Sequence, residues 1–300
     1  MEFGKVPAAT LETIDFTLPP DPQQTTEVLR EHKRKGPAKF YAGCAKWGRK
    51  DWVGKLYPSG TKEKDFLKEY AKLFNSIEFN GFFYSNHSRE QVIKWKDSAP
   101  AGFKFCPKFN QSVTHYKRLK GTRADVDTFL SVIEAFGDKL GPLFLMPHPQ
   151  MGPEQLPVIE QFISDLPTDL EVFLELRHED FYTSGYNETL YRFLRQERRG
   201  TIITDSAGRR DCVHMHLSTP ECFIRFVGNS LHPTDFSRID AWVERIASWV
   251  DQGLETCYFF MHQHEELHSP ELIRYFIEQM NRHVQTGLKV PLTPQTGQLF

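Results

Sequence analysis

The chain has 300 residues, with 37 Lys plus Arg against 39 Asp plus Glu and a formal net charge of −2 when histidine is neutral. That balance excludes a protein that holds polyanions by bulk charge, and no basic amphipathic stretch marks a membrane-surface helix. With 39% hydrophobic and 25% charged residues, the composition is that of a folded globular chain rather than a disordered or fibrous one.

The length allows two domains of ~150 residues or one α/β barrel of ~250 residues with an extension. Residues 1–38 read as an N-terminal extension packed on or beside the main domain. Pro19, Pro20 and Pro22 interrupt it, and the basic run His32, Lys33, Arg34, Lys35 closes it as a solvated linker. Glu2, Lys5 and Pro7 break any apolar leader, and no apolar run approaches the ~18 residues needed to span a bilayer. Five scattered cysteines without a CxxC pair, Cys44, Cys106, Cys212, Cys222 and Cys257, suggest neither a disulfide framework nor a zinc ribbon. A cytoplasmic protein without membrane contact is expected.

From Phe40 onward, short apolar runs alternate with helical periodicity. The predicted strands are Phe40 to Gly43, Ser76 to Phe79, Phe103 to Phe105, Leu143 to Leu145, Val172 to Leu174, Thr201 to Thr204, Phe223 to Phe226 and Tyr258 to Phe260. Between them, Phe66, Leu67, Tyr70, Leu73 and Phe74 recur at one-face helical spacing, as do Val126, Phe129, Leu130, Ile133 and Phe136. Further helices are predicted at Leu190 to Leu194, Ile239 to Val250 and Leu272 to Met280. Ser88 with Gln91, Pro153 after Gly152 and Pro270 after Ser269 mark helix starts. Strand then helix, repeated eight times, requires parallel strands and right-handed crossovers. The expected fold is an α/β TIM-type (β/α)8 barrel over residues 39–284, with a C-terminal tail at 285–300. Too few residues separate Asp205 from Phe223 for a full helix, so a shortened or irregular one is expected there. An open doubly wound sheet is the alternative, without a GxGxxG or P-loop segment to support it.

Alternation along Glu171 to Arg177 puts Val172, Leu174 and Leu176 on one side and Phe173, Glu175 and Arg177 on the other. The apolar side faces helices, so Glu175 and Arg177 project inward at the carboxyl end of the strand, where barrel active sites lie. The same reasoning gathers Glu78 with Asn80, Lys108, Asp205 and Arg225 at one mouth. Six charges, three of each sign, would converge there. They could form a structural salt-bridge plug, or a polar pocket, which is the favoured reading because aliphatic side chains would close a barrel at less desolvation cost. Trp47, Trp52, Phe82, Phe83, Tyr84, Phe181 and Tyr182 follow the same strand ends, as rim cover or as faces for a sugar or base.

The segments Tyr41-Ala42-Gly43-Cys44-Ala45-Lys46-Trp47, Phe74 to Asn80 with Phe83-Tyr84, Gly102 to Lys108, Thr114 to Leu119, Glu175-Leu176-Arg177-His178, Asp205 with its neighbours, and Phe223 to Gly228 occur in an order that resembles the DUF72 (YecE-like) family. The resemblance covers roughly Phe40 to Met280. It implies a TIM barrel similar in outline to xylose-isomerase-like and endonuclease IV-like barrels, and no assigned activity. The pattern departs from the family at Met146, Val227, Met261 and His262. Carry-over applies to Glu78, Asn80, Lys108, His115, Glu175, Arg177, His178, Asp205 and Arg225.

Several chemistries fit these residues. In the first, Glu175, Asp205, Lys108 and Glu78 form the catalytic set of a hydrolase or isomerase, and Trp47, Asn80, Tyr84, His115, Arg177, His178 and Arg225 bind a small anionic, sugar- or phosphate-containing ligand. In the second, a divalent metal sits among Glu78, Glu175, Asp205, His178 and His262 or His264; it is compatible but not favoured, because Arg177 and Lys108 compete for the carboxylates. In the third, the basic loops His115 to Lys120 and Arg209-Arg210 touch nucleic-acid phosphates. The fourth is a non-catalytic ligand-binding protein, which Glu175→Gln would separate from an enzyme. Cysteine nucleophiles are not indicated, and the oligomeric state is open.

Overall fold

The predicted strands are short because most of their residues are buried and each needs only enough length to cross the apolar layer. In the computed structural model, which describes residues 3–183 and 187–291, they are β1 (Lys39–Cys44), β2 (Ser76–Phe79), β3 (Lys104–Pro107), β4 (Leu143–Leu145), β5 (Val172–Leu174), β6 (Gly200–Asp205), β7 (Glu221–Gly228) and β8 (Thr256–Gln263). Every pairing among them is parallel. Six strands form one curled sheet in the order β1-β8-β7-β6-β5-β4, and β2 with β3 forms a second, two-stranded sheet. The fold is therefore α/β with a curled six-stranded half-barrel, and the continuous eight-stranded ladder expected from the repeat is divided into two sheets.

The two divisions have local causes. Between β1 and β2 a side chain replaces the ladder: Asn75 Oδ1 accepts from Ala42 N at 2.9 Å, and its Nδ2 donates to Phe40 O at 2.8 Å. The strands come so close there that a Cβ on Gly43 would lie 2.0 Å from Ser76 O, so only glycine fits. Between β3 and β4 there are only isolated bridges, Phe105 with Leu140 and Lys108 with Phe144.

Helices cover the outer face. They include α1 (Gln23–Glu31), α2 (Phe66–Tyr70), α3 (Gly81–Tyr84), α4 (Arg89–Ser98), α5 (Arg123–Ile133), α6 (Leu156–Ser164), α7 (Asp180–Thr183), α8 (Asn187–Gln196), α9 (Pro233–Gln252) and α10 (Ser269–Val284). Ser88 caps α4 by accepting from Gln91 N at 3.3 Å. Between β6 and β7 a short 3-10 turn, Arg210–Cys212, stands where the repeat would place a full helix. Outward strand residues such as Ile203, Ile224 and Phe259 pack against the helices in one large core. A second cluster, Phe83, Cys106, Phe144, Met146, Phe173, Ile202, Phe223, Tyr258 and Phe260, fills the space inside the curl. That apolar plug gives the inward charges above it a floor.

The N-terminal segment runs across β6, its following loop and α9. Thr25 Oγ1 donates to Met215 O and accepts from Leu217 N, both at 2.9 Å. Asp21 takes Arg245 Nη1 at 2.5 Å and Trp249 Nε1 at 3.0 Å. The Phe16 ring lies against the guanidinium groups of Arg210 and Arg238. Farther toward the start, Gly208 N donates to Gly4 O at 2.8 Å and Ser206 Oγ donates to Phe3 O at 3.1 Å. Gly4 has φ +67 and sits so close to Ser206 that a Cβ would lie 1.9 Å from its Oγ. Of the tail at 285–300, residues 292–300 lie outside the described residues.

Candidate functional site

Alternation carries Glu78, Lys108, Glu175, Arg177, Arg225 and His262 inward, one register step above the apolar plug. Arg225 is the hub. Its Nε and Nη2 bind Glu78 at 2.8 and 3.0 Å, and its Nη1 binds Glu175 at 2.7 Å. Glu78 also accepts from Asn80 Nδ2 at 2.8 Å and meets His262 Nε2 at 2.8 Å, while Glu175 takes Arg177 Nε at 2.8 Å. Burial alone would raise both carboxyls, but the Arg225 guanidinium with His262 holds Glu78 well below the usual carboxylate range, and Arg177 with Arg225 does the same to a lesser degree for Glu175. Both are carboxylates at neutral pH, and their charge is spent on arginines.

Two cations keep unspent capacity. Arg177 uses only Nε, and its Nη1 and Nη2 have no hydrogen-bond partner among the described residues. Lys108 is 6% exposed and directs Nζ toward Met146 Sδ at 3.4 Å, between the rings of Phe83 and Phe144, with centroids at 4.3 and 4.7 Å. Burial, then the guanidiniums of Arg225 and Arg177, push its pKa down to about 7.

These groups open onto a cavity of about 750 Å³ lined by Lys46, Asn80, Lys108, Arg177 and Arg225 among others, with Tyr84 and Tyr116 at its rim and Glu266 as the acidic lining residue. His115 lies edge-on to Phe83 at 4.9 Å and 5.1 Å from the His148 ring. Burial first, then Lys108, lowers it to about 4, so it is a neutral imidazole at pH 7. Phe3, from the N-terminal segment, also lines the cavity and lays its ring on the Arg177 guanidinium at 4.1 Å.

Of the residues expected from the sequence, Glu78, Asn80, Tyr84, Lys108, His115, Glu175, Arg177 and Arg225 are brought together here. Asp205 is not. Ile202 lies in the inner cluster and Ile203 in the outer one, so Asp205 points outward to α9. There it binds Arg238 Nη2 and Trp242 Nε1, each at 2.7 Å, and Arg210. Its placement at the mouth is corrected: it braces the sheet against α9. Trp47 packs on Phe79, Trp95 and Phe105 rather than lining the cavity. His178, 3.8 Å from Asp180, is likewise absent from the cavity wall. Gln111, His148, Glu266 and Phe3 join the lining without having been singled out, as do Lys46 and Tyr116, which the sequence offered only within longer segments. Strand parity through Phe144, Met146 and His148 would have found His148; nothing local in the sequence signals Phe3.

Among the described residues, no group of three or more His, Cys, Asp or Glu side chains is arranged to hold a metal ion. The five cysteines are buried and free, and burial raises the Cys44 and Cys106 thiols far from reactivity. No helix of the described residues is long and apolar enough to cross a membrane.

A family model described as "Protein of unknown function DUF72" matches residues 41–297. The chain belongs to the DUF72 family. It is 28% identical over 280 residues to the UPF0759 protein YecE of Escherichia coli K12, a match that covers 87% of this chain and all of that protein. Among solved structures, a DUF72 family protein from Thermotoga maritima MSB8 superposes with a TM-score of 0.63 at 20% identity, covering 81% of this chain and 99% of that one. One from Enterococcus faecalis V583 gives a TM-score of 0.64 at 14% identity, covering 87% and 100%. These likenesses bear on the fold. The DUF72 match begins at residue 41, so the segment carrying Phe3 and Phe16 lies outside it.

Proposed function

We propose that this DUF72 protein is an enzyme that binds a small anionic, sugar- or phosphate-containing molecule at the carboxyl-end face of a closed eight-stranded TIM-type barrel and transforms it by acid/base chemistry. The observation that carries the reading is Arg177: a largely buried guanidinium whose two terminal nitrogens have no hydrogen-bond partner among the described residues, beside Lys108, in a cavity whose wall is more basic than acidic. A structural plug would have spent those donors on carboxylates. Asn75 spanning β1 and β2, and the bridges from β3 to β4, support closure of the barrel.

In this reading Arg177 receives the anion beside Lys108, Arg225 fixes the two glutamates, and the neutral imidazole of His115 moves protons. Glu175, held by both arginines, sets their orientation. Five free cysteines suit a reducing compartment such as the cytoplasm. The test is calorimetric titration of inorganic phosphate and ribose 5-phosphate into the wild type and Arg177→Met. Micromolar to millimolar binding by the wild type, weakened about tenfold or more in the variant, supports the site; equal affinities, or no binding to either probe, refute it.

A second reading, action on a nucleotide or nucleic-acid strand, is favoured by two tyrosines at the rim, Tyr84 and Tyr116, exposed by 70% and 74%. Such faces stack on bases. Single-stranded oligonucleotide binding that falls steeply with salt and weakens in Tyr116→Ala would support it, and flat salt dependence would remove it.

A further inference from the structure

Lys108 is the inward residue immediately after β3, two positions beyond Cys106, and the two carboxylates that act on it are engaged elsewhere. Glu78 is taken by Arg225, Asn80 and His262, and Glu175 by Arg225 and Arg177. No carboxylate among the described residues forms an ion pair with Nζ. Its surroundings are two aromatic rings, a thioether and two guanidinium groups, at the wall of an open cavity. A lysine so placed is a good nucleophile, because desolvation and neighbouring cations favour the free amine.

We propose that Lys108 is the nucleophile of this pocket and forms an imine with the carbonyl carbon of a small aldehyde or ketone that carries a phosphate or carboxylate. This rests on the pocket being an anion site, with the unclaimed Arg177 nitrogens taking the charged group. The Nζ lone pair forms the new N–C bond, and the carbonyl π pair moves to oxygen. His115, neutral and facing the same Phe83 ring as Lys108, relays one N–H proton to that oxygen. The nitrogen lone pair then expels the hydroxyl, which takes a solvent proton and leaves as water, giving the protonated imine. Nothing is oxidised or reduced.

The charged groups that act on Lys108 are Arg225, Arg177, Glu175 and Glu78, and the neutral His115 lies against the same Phe83 ring. Burial and the two arginines outweigh the two glutamates, which leaves a substantial free-amine fraction near pH 7.

The test is borohydride trapping. The wild-type protein is incubated with dihydroxyacetone phosphate or, separately, pyruvate, then reduced, and the adduct is located by peptide mapping. The expected result is one dominant adduct on Lys108, about tenfold above any other lysine, competed by inorganic phosphate and lost in Lys108→Arg. Should that variant fail to fold, the pH dependence of trapping in the wild type decides: a midpoint near 7 supports the proposal, and one near 10 refutes it. Adducts spread evenly over surface lysines overturn it. Phosphate binding that depends on Arg177 without a Lys108 adduct leaves the anion site standing and removes the imine; absence of both removes both.

Discussion

Arg225 neutralises two carboxylates, one in β2 and one just after β5, and all three groups are almost completely shielded from water. A buried pair of this kind adds little over an apolar core, but removing one partner leaves the others uncompensated. Arg225→Met therefore leaves Glu78 to Asn80 and His262 and Glu175 to Arg177, and the expected loss is about 3–5 kcal/mol, visible as a lower urea midpoint with an unchanged slope. Lys108 behaves in the opposite sense. Its folded value of about 7 lies below the ordinary 10.5, so between those pH values the unfolded chain holds more protons and stability rises with pH; below about 7 the contribution is constant. Compared with Lys108→Met across pH 6 to 10, the wild type is expected to gain stability relative to the variant as the pH rises, read from paired denaturation curves. A gap that stays flat would mean that the amine is charged throughout.

At the scale of elements, the seam between β1 and β2 depends on one amide. Asn75→Ala removes both of its bonds to the β1 backbone and leaves the buried Ala42 N–H unpaired, at a cost of about 2–3 kcal/mol. Amide exchange should locate the damage: faster exchange in β1 beside β2, with the β7–β8 ladder still protected. The strands also show why part of the site could be read from sequence and part could not. Along Glu171 to Arg177 the apolar residues occupy one parity, so only one side was left for Glu175 and Arg177. Along β6 all six residues are buried, and Thr201, Ile202, Ile203 and Thr204 carry no polarity contrast. Alternation there does not say which way Asp205 points; that depends on Arg238 and Trp242 of α9, more than thirty residues away. The eight strand positions were legible because short apolar runs between helical stretches leave few other arrangements. The division into two sheets was not, since it rests on a side chain standing in for backbone.

For the molecule as a whole, the N-terminal segment fastens β6 and α9 from outside and reaches the cavity with Phe3. Asp21→Ala cuts its ties to Arg245 and Trp249, and about 2 kcal/mol is expected from losing charge-assisted bonds. A drop of several degrees in Tm would register it. No local pattern announced this path, because proline-rich sequence says that a segment is extended without saying what it lies against.

The position of Phe3 has a practical side. The Phe3→Ala variant would bare the face of the Arg177 guanidinium on which that ring rests. A ligand screen run on that variant beside the wild type would show how far the ring competes with solutes for the site.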